Sequence, residues 1–270
     1  MSIIGDKYHI LDYIETIEYD KLYKAIDISS DEEVYLKLYT NTDIMNENFV
    51  DKLIKVSQKI NEIKNDYILQ IKDIGFHYTK EDVMFYNVYE YVDAITLEEA
   101  IRGDYISKEV AVYSVIQIAR GLEDYISDNL YHGDLKPSNI LIDYQCNIKI
   151  LNFGLTKAND GINIRMNKDI NYLSPHQLCI DYTDLESDLF SLGLILFELI
   201  FKIPAYTIVD NNDEIEKLRI LDKDINWNSI KYEKDEVEIV NIIKRLLIRD
   251  KKYNDLDEVI KELTLAIAKL

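Results

Sequence analysis

Residues 131–154 read YHGDLKPSNILIDYQCNIKILNFG. The first half looks like a site that moves a phosphoryl group. The end, Asn152-Phe153-Gly154, supplies a neutral amide where a carboxylate would hold a hard cation better. Upstream, residues 8–39 run in short strand-like pieces (YHILDYI, KLYKAIDIS, EVYLKLY) broken by acidic turns, the pattern of an antiparallel meander. Over 43–64 the period changes: Phe49, Leu53, Val56, Ile60 and Ile63 recur at spacings of four and three, one face of an amphipathic helix. Two more strand-like runs follow, ILQIKDIGFHY and VMFYNVYEYV. From residue 97 the pattern turns mainly helical, with LEEAIRG, KEVAVYSVIQIARGLEDYISDN, 185–201, 235–248 and 255–269.

Composition narrows the function. The chain has 270 residues and a net charge of −19, so phosphate backbones and anionic membranes repel it and a nucleic-acid role is excluded. Cys146 and Cys179 lack metal-ligand spacing and build no disulfide framework, which suits a reducing cytosol. MSIIGDKYHI lacks the pattern of a secretory leader. FSLGLILFELIF, residues 190–201, is too short to span a bilayer and reads as a buried helix. The expectation is a cytoplasmic protein with no membrane insertion.

Ordered motifs carry a family resemblance. HGDLKPSNILI resembles the catalytic loop of eukaryotic-type protein Ser/Thr kinases, and VYLK at 34–37 resembles the strand bearing their phosphate-binding lysine. ILNFG stands where their Asp-Phe-Gly segment stands. YLSPHQL at 172–178 resembles the Ala-Pro-Glu segment, and ESDLFSLG at 186–193 the start of their buried central helix. The resemblance covers nearly the whole chain. It implies an α+β bilobal protein-kinase-like fold: a small antiparallel β-sheet lobe with one main helix over 1–91, and a larger, mainly helical lobe over 92–270.

Carried over position by position, the resemblance divides the site. Asp134 matches the base that accepts the substrate proton, Lys136 the γ-phosphate lysine, Asn139 a metal ligand and Lys37 the lysine on the α- and β-phosphates. Against these, Glu15, Ile17 and Asp20 occupy the three glycine positions of the phosphate loop, and two carboxylates there repel phosphate. Val56 occupies the position of the helix glutamate that pairs with the lysine, the nearby acids Asp51 and Glu62 lying off the apolar stripe. Tyr35 replaces the small residue above adenine, and Tyr89 is the gatekeeper before the hinge Glu90-Tyr91-Val92. Tyr35 is expected to fill the purine volume between Leu22 and Leu141. Asn152 replaces the metal-binding aspartate, which weakens charge stabilisation worth several kcal/mol.

The resulting expectation is a pseudokinase, a scaffold or allosteric regulator with a degenerate ATP site, no cofactor, and a protein partner such as an active kinase or its substrate. The alternative is a divergent active Ser/Thr kinase using Asp134 as base, with ATP and Mg or Mn held through Asn139 and Asn152. A further alternative is another nucleotide-dependent transfer such as nucleotidylation. Further expectations are a structural turn at 132–139 braced by Asp188, His132, Phe153 and Ile60 as core, and Lys37 as a solvated or repurposed strand lysine. Gly133 stands where an arginine would hold an activation-loop phosphate, and Thr156 and Tyr172 are the only hydroxyls between Gly154 and Tyr172. His9, His77 and His176 read as isolated surface or packing residues. DNNDEIEKL and KYEKDEVE read as solvated helix faces.

Overall fold

The computed structural model describes residues 3–17, 20–39, 47–80, 83–162, 170–180, 182–206, 225, 227–247 and 253–270. The chain forms two compact units, one of residues 1–64 and 69–93, the other of 65–68 and 94–270.

The first unit is a six-stranded antiparallel sheet with one helix. Its strands are β1 (Ile3–Ile4), β2 (Tyr8–Ile17), β3 (Asp20–Asp27), β4 (Glu32–Tyr39), β5 (Ile71–Tyr78) and β6 (Val83–Glu90), in the order β1-β2-β3-β4-β6-β5. Helix α1 (Glu47–Glu62) fills the connection between β4 and β5; residues 43–46 of the expected helix lie outside the described residues. Side chains alternate across each strand. On one face Val34, Leu36, Leu38, Ala25, Tyr86 and Val88 form a core cluster with Ile4 and Tyr8. The other face of β4 carries Tyr35, Lys37 and Tyr39, paired across the ladder with Tyr89, Asn87 and Phe85 of β6. Phe49 of α1 and Phe76 of β5 close on Phe85, with ring centroids 6.0 and 5.7 Å away.

The second unit is mainly helical around a short sheet. Its strands β7 (Ala94–Thr96), β8 (Ile140–Asp143) and β9 (Ile148–Ile150) pair in that order, and its helices among the described residues are α2 (Leu97–Arg102), α3 (Lys108–Glu123), α4 (Leu155–Ala158), α5 (Pro175–Ile180), α6 (Leu185–Phe201), α7 (Val237–Leu247) and α8 (Leu256–Ile267). The central helix α6 is apolar around most of its circumference and is buried as such helices must be. No helix among the described residues is long and apolar enough to cross a membrane. Two expectations about charged groups need correction. Glu236 in KYEKDEVE is buried, because it pairs with Lys108 at 2.8 Å. His176 is not isolated, since its Nδ1 lies 3.1 Å from the Asp184 carboxylate. DNNDEIEKL lies outside the described residues.

Candidate functional site: a hinge tyrosine and a catalytic-loop turn

In the first unit, the residues matched to a nucleotide site form a packed aromatic row. Tyr35 and Tyr89 are 1% and 0% exposed. The Tyr35 hydroxyl donates to the carbonyl of Val92, and its ring lies 4.9 Å from that of Tyr91. Directly opposite Lys37, the fully buried Asn87 donates its amide to the hydroxyls of Tyr39 (3.2 Å) and Tyr89 (3.1 Å). Lys37 is itself buried, with Nζ 5.1 Å from the Tyr39 ring centre. That corrects the solvated reading: the strand register turns position 37 to the same face as Tyr35 and Tyr39, where its side chain is buried. Sequence reasoning passed over Asn87, although a polar residue alternating with aromatics in VMFYNVYEY marks it as facing the same row.

The buried face of α1 carries Phe49, Val50, Leu53, Ser57 and Ile60, while Val56 is half-buried and Asp51 and Glu62 are exposed. Ser57 spends its hydroxyl on the Leu53 carbonyl within the helix (2.7 Å). Glu15, Ile17 and Asp20 sit in the β2–β3 ladder, with Ile17 paired to Asp20 and Glu15 to Leu22; their side chains lie outside the described residues.

In the second unit, the turn at 132–139 is held by a dense set of hydrogen bonds, although Asp134 Oδ1 is buried without one. A buried backbone group must find a partner, so each can be accounted for. The N–H groups of His132 and Gly133 donate to the two carboxylate oxygens of Asp188, both at 2.7 Å. The His132 carbonyl accepts from Thr156 Oγ1 (2.7 Å), and the Gly133 carbonyl from Gln177 Nε2 (2.8 Å). Asp134 N–H donates to His132 Nδ1 (3.1 Å), which leaves Nε2 as the protonated nitrogen facing the Leu151 carbonyl at 2.8 Å. His132 is thereby fixed as a neutral core imidazole, stacked edge-on to Phe153 at 5.8 Å. Burial pushes the Asp188 carboxyl up to about 7, outweighing the two N–H donors that pull it down.

Asp134, Lys136 and Asn139 are all buried at this turn, whose last residues, Pro137–Asn139, form a 3-10 helix. Asn139 Nδ2 donates to Asp134 Oδ2 and to the Asp134 carbonyl, both at 2.8 Å. Asn152 Nδ2 donates to Asn139 Oδ1 at 2.7 Å. Leu141 follows in β8, buried and paired with Lys149 and Thr96. Sequence reasoning missed Thr156 and Gln177 as supports of the loop; no periodic signal marks a side chain that caps a remote carbonyl. Thr156 is buried and engaged, Tyr172 donates to Glu198, and residues 163–169 of the intervening segment lie outside the described residues. No cluster of three His, Cys, Asp or Glu side chains able to hold a metal occurs among the described residues.

Residues 13–254 match the family described as protein kinase domain. The chain is 33% identical over 204 residues to the serine/threonine-protein kinase PrkC of Bacillus subtilis, covering 73% of this chain and 31% of that one. It is 28% identical over 236 residues to a protein of Clostridium perfringens named "Probable serine/threonine-protein kinase CPE1738", covering 84% and 34%. The chain thus spans about a third of the length of these curated relatives. Among solved structures, the kinase domain of PknI from Mycobacterium tuberculosis, a double mutant, superposes with a TM-score of 0.72 at 13% identity, over 98% of this chain and 97% of that one.

Proposed function

The chain belongs to the protein kinase domain family, with its antiparallel β-sheet unit and its helical unit, and from that premise we propose that it is a pseudokinase: a domain that binds and regulates a protein partner and transfers little or no phosphate. The observation that carries this reading is the Tyr35 hydroxyl on the Val92 carbonyl. The family resemblance places a small residue above adenine at position 35, and here a buried phenol engaged with the Val92 backbone stands in its place. The neighbouring row supports the same reading, because the Asn87 amide nitrogen is taken up by the hydroxyls of Tyr39 and Tyr89. Of the described acids of α1, Asp51 and Glu62 are exposed and lie off its buried face. Nor does the donor set fit a magnesium or manganese ion, which wants charged or free oxygens. Asn139 and Asn152 are neutral amides hydrogen-bonded to each other. The partner would be an active kinase or its substrate, and the strongly acidic chain favours a basic docking face on it.

The second reading is a divergent active Ser/Thr kinase with Asp134 as base. The names of the relatives favour it over the first, and Asp134, Lys136 and Asn139 stand together at one turn. Calorimetry with ATP and Mg²⁺ or Mn²⁺ separates the two. The pseudokinase reading expects no binding heat from the native domain and a recovered, weak ATP signal from Tyr35→Ala. Phosphate transfer that disappears in Asp134→Ala establishes the active kinase instead.

A further inference from the structure

We infer that a relay of side-chain amides, Asn152 to Asn139 to Asp134, stands in for a divalent cation, so that the turn keeps its geometry with no metal bound. The inference rests on the pseudokinase reading and deepens it at one site. Its starting point is the chemistry of Asp134. The Asp134 carboxylate oxygen and main-chain carbonyl are both acceptors, and one side-chain atom of Asn139 lies 2.8 Å from each. Only the amide nitrogen can serve two acceptors, so the orientation of Asn139 follows from its neighbours. Asn139 Oδ1 must then face residue 152, and at 2.7 Å it requires a donor there.

An aspartate at 152 would set carboxylate oxygen against amide oxygen. Asn139 and Asn152 are 0% and 4% exposed, and such a contact in a poorly hydrated site is repulsive unless a cation or proton lies between the oxygens. Position 152 cannot simply swing away. Leu151 N–H is bonded to the Asn139 carbonyl at 2.9 Å, which ties the two segments together one residue earlier. Asn152 itself sits at φ +62°, a left-handed conformation that asparagine tolerates better than most side chains. An amide donor with no net charge is therefore what a metal-free turn demands. Asn152 acts as a positioning residue: through Asn139 it fixes the Asp134 carboxylate.

The test is thermal unfolding of the whole chain without nucleotide, in chelator and then with Mn²⁺ or Mg²⁺ alone. With ionic strength held constant, the native protein should melt at the same temperature in both conditions. Asn152→Asp should melt lower in chelator by roughly 3–10 °C, the effect expected of one unsatisfied buried polar group in a chain of this size. It should recover with added Mn²⁺, which Asn152→Ala should not. Equal stability of Asn152→Asp and the native protein in chelator overturns the relay, as does equal metal stabilisation of both. A second measurement needs no variant: Mn²⁺ at millimolar concentration should leave the side-chain amide NMR signals of native Asn139 and Asn152 unbroadened, and selective broadening there overturns the inference. Phosphate transfer by the native domain, with these metal readouts as expected, overturns the pseudokinase reading and leaves the relay standing.

Discussion

Gly133 concentrates in one residue what has happened to this catalytic loop. Its φ is +72°, and a Cβ added there would lie 2.7 Å from the methyl groups of Thr156 and Thr183. The arginine that the family resemblance places at 133 thus has neither the backbone conformation nor the space, and the threonines that fill the space also hold the loop. Gly133→Ala should destabilise the domain by about 2–5 kcal/mol, adding left-handed strain to overpacking, measured as a lower urea midpoint. An unchanged midpoint would mean that the loop relaxes freely. Asp188 makes a pH-dependent prediction at the same scale. Its folded-state pKa of about 7 stands above the ordinary value of about 3.8, so the folded protein holds this proton more tightly than the unfolded chain does. The stability that this proton brings is full below about pH 4 and is lost as pH rises through about 7. Asp188→Asn does not titrate, although it leaves one of the two N–H donors poorly met at every pH. The native stability should therefore decline relative to the variant between pH 4 and 7, by roughly 4 kcal/mol at most. A constant difference across that range would show that the two backbone donors outweigh burial.

Elements differ in how plainly they can be read, and the reason is physical. The meander β2–β4, helix α1 and the buried helix α6 were legible because each spans several periods of its own repeat. Strands β7, β8 and β9 have three or four residues, which gives too few positions for alternation to show, and the mainly helical pattern expected after residue 97 hid β8 and β9. Helices α4 and α5 are too short to display a face. The site splits the same way. Motif position singles out Tyr35 and Tyr89, whereas the Asn139–Asn152 bond depends on which way two amides turn, and the burial of Lys37 depends on the face that its strand packs. The start of α6 offers a test at this scale. Asp184 accepts from Ser187 N–H at 2.9 Å and completes a capping box, while its other oxygen faces His176. Asp184→Ala should cost about 0.5–2 kcal/mol, whereas Asp184→Asn, which keeps a capping acceptor, should cost less. Equal losses in thermal unfolding would assign the effect to the His176 pair instead of the cap.

Charge is the property that acts on the molecule as a whole. With 50 acidic and 31 basic side chains, the folded chain confines an excess of 19 negative charges. Several ion pairs that oppose this repulsion are largely exposed, such as Lys72–Glu32, Lys261–Asp257 and Lys269–Glu238, and exposed pairs contribute little each. The repulsion acts over many pairs at longer range, where salt screens it with a Debye length of about 10 Å at 0.1 M. The pair Lys108–Glu236 joins a partly exposed lysine to a carboxylate shielded from solvent and feels that screening less. Adding NaCl should therefore relieve more repulsion than attraction and raise the melting temperature by a few degrees between roughly 20 and 200 mM. The same salt should weaken any complex with a basic partner, because the attraction that guides the encounter is screened as well. A melting temperature that falls with salt would mean that the exposed pairs work as a network, and the acidic surface would then be part of what holds the fold.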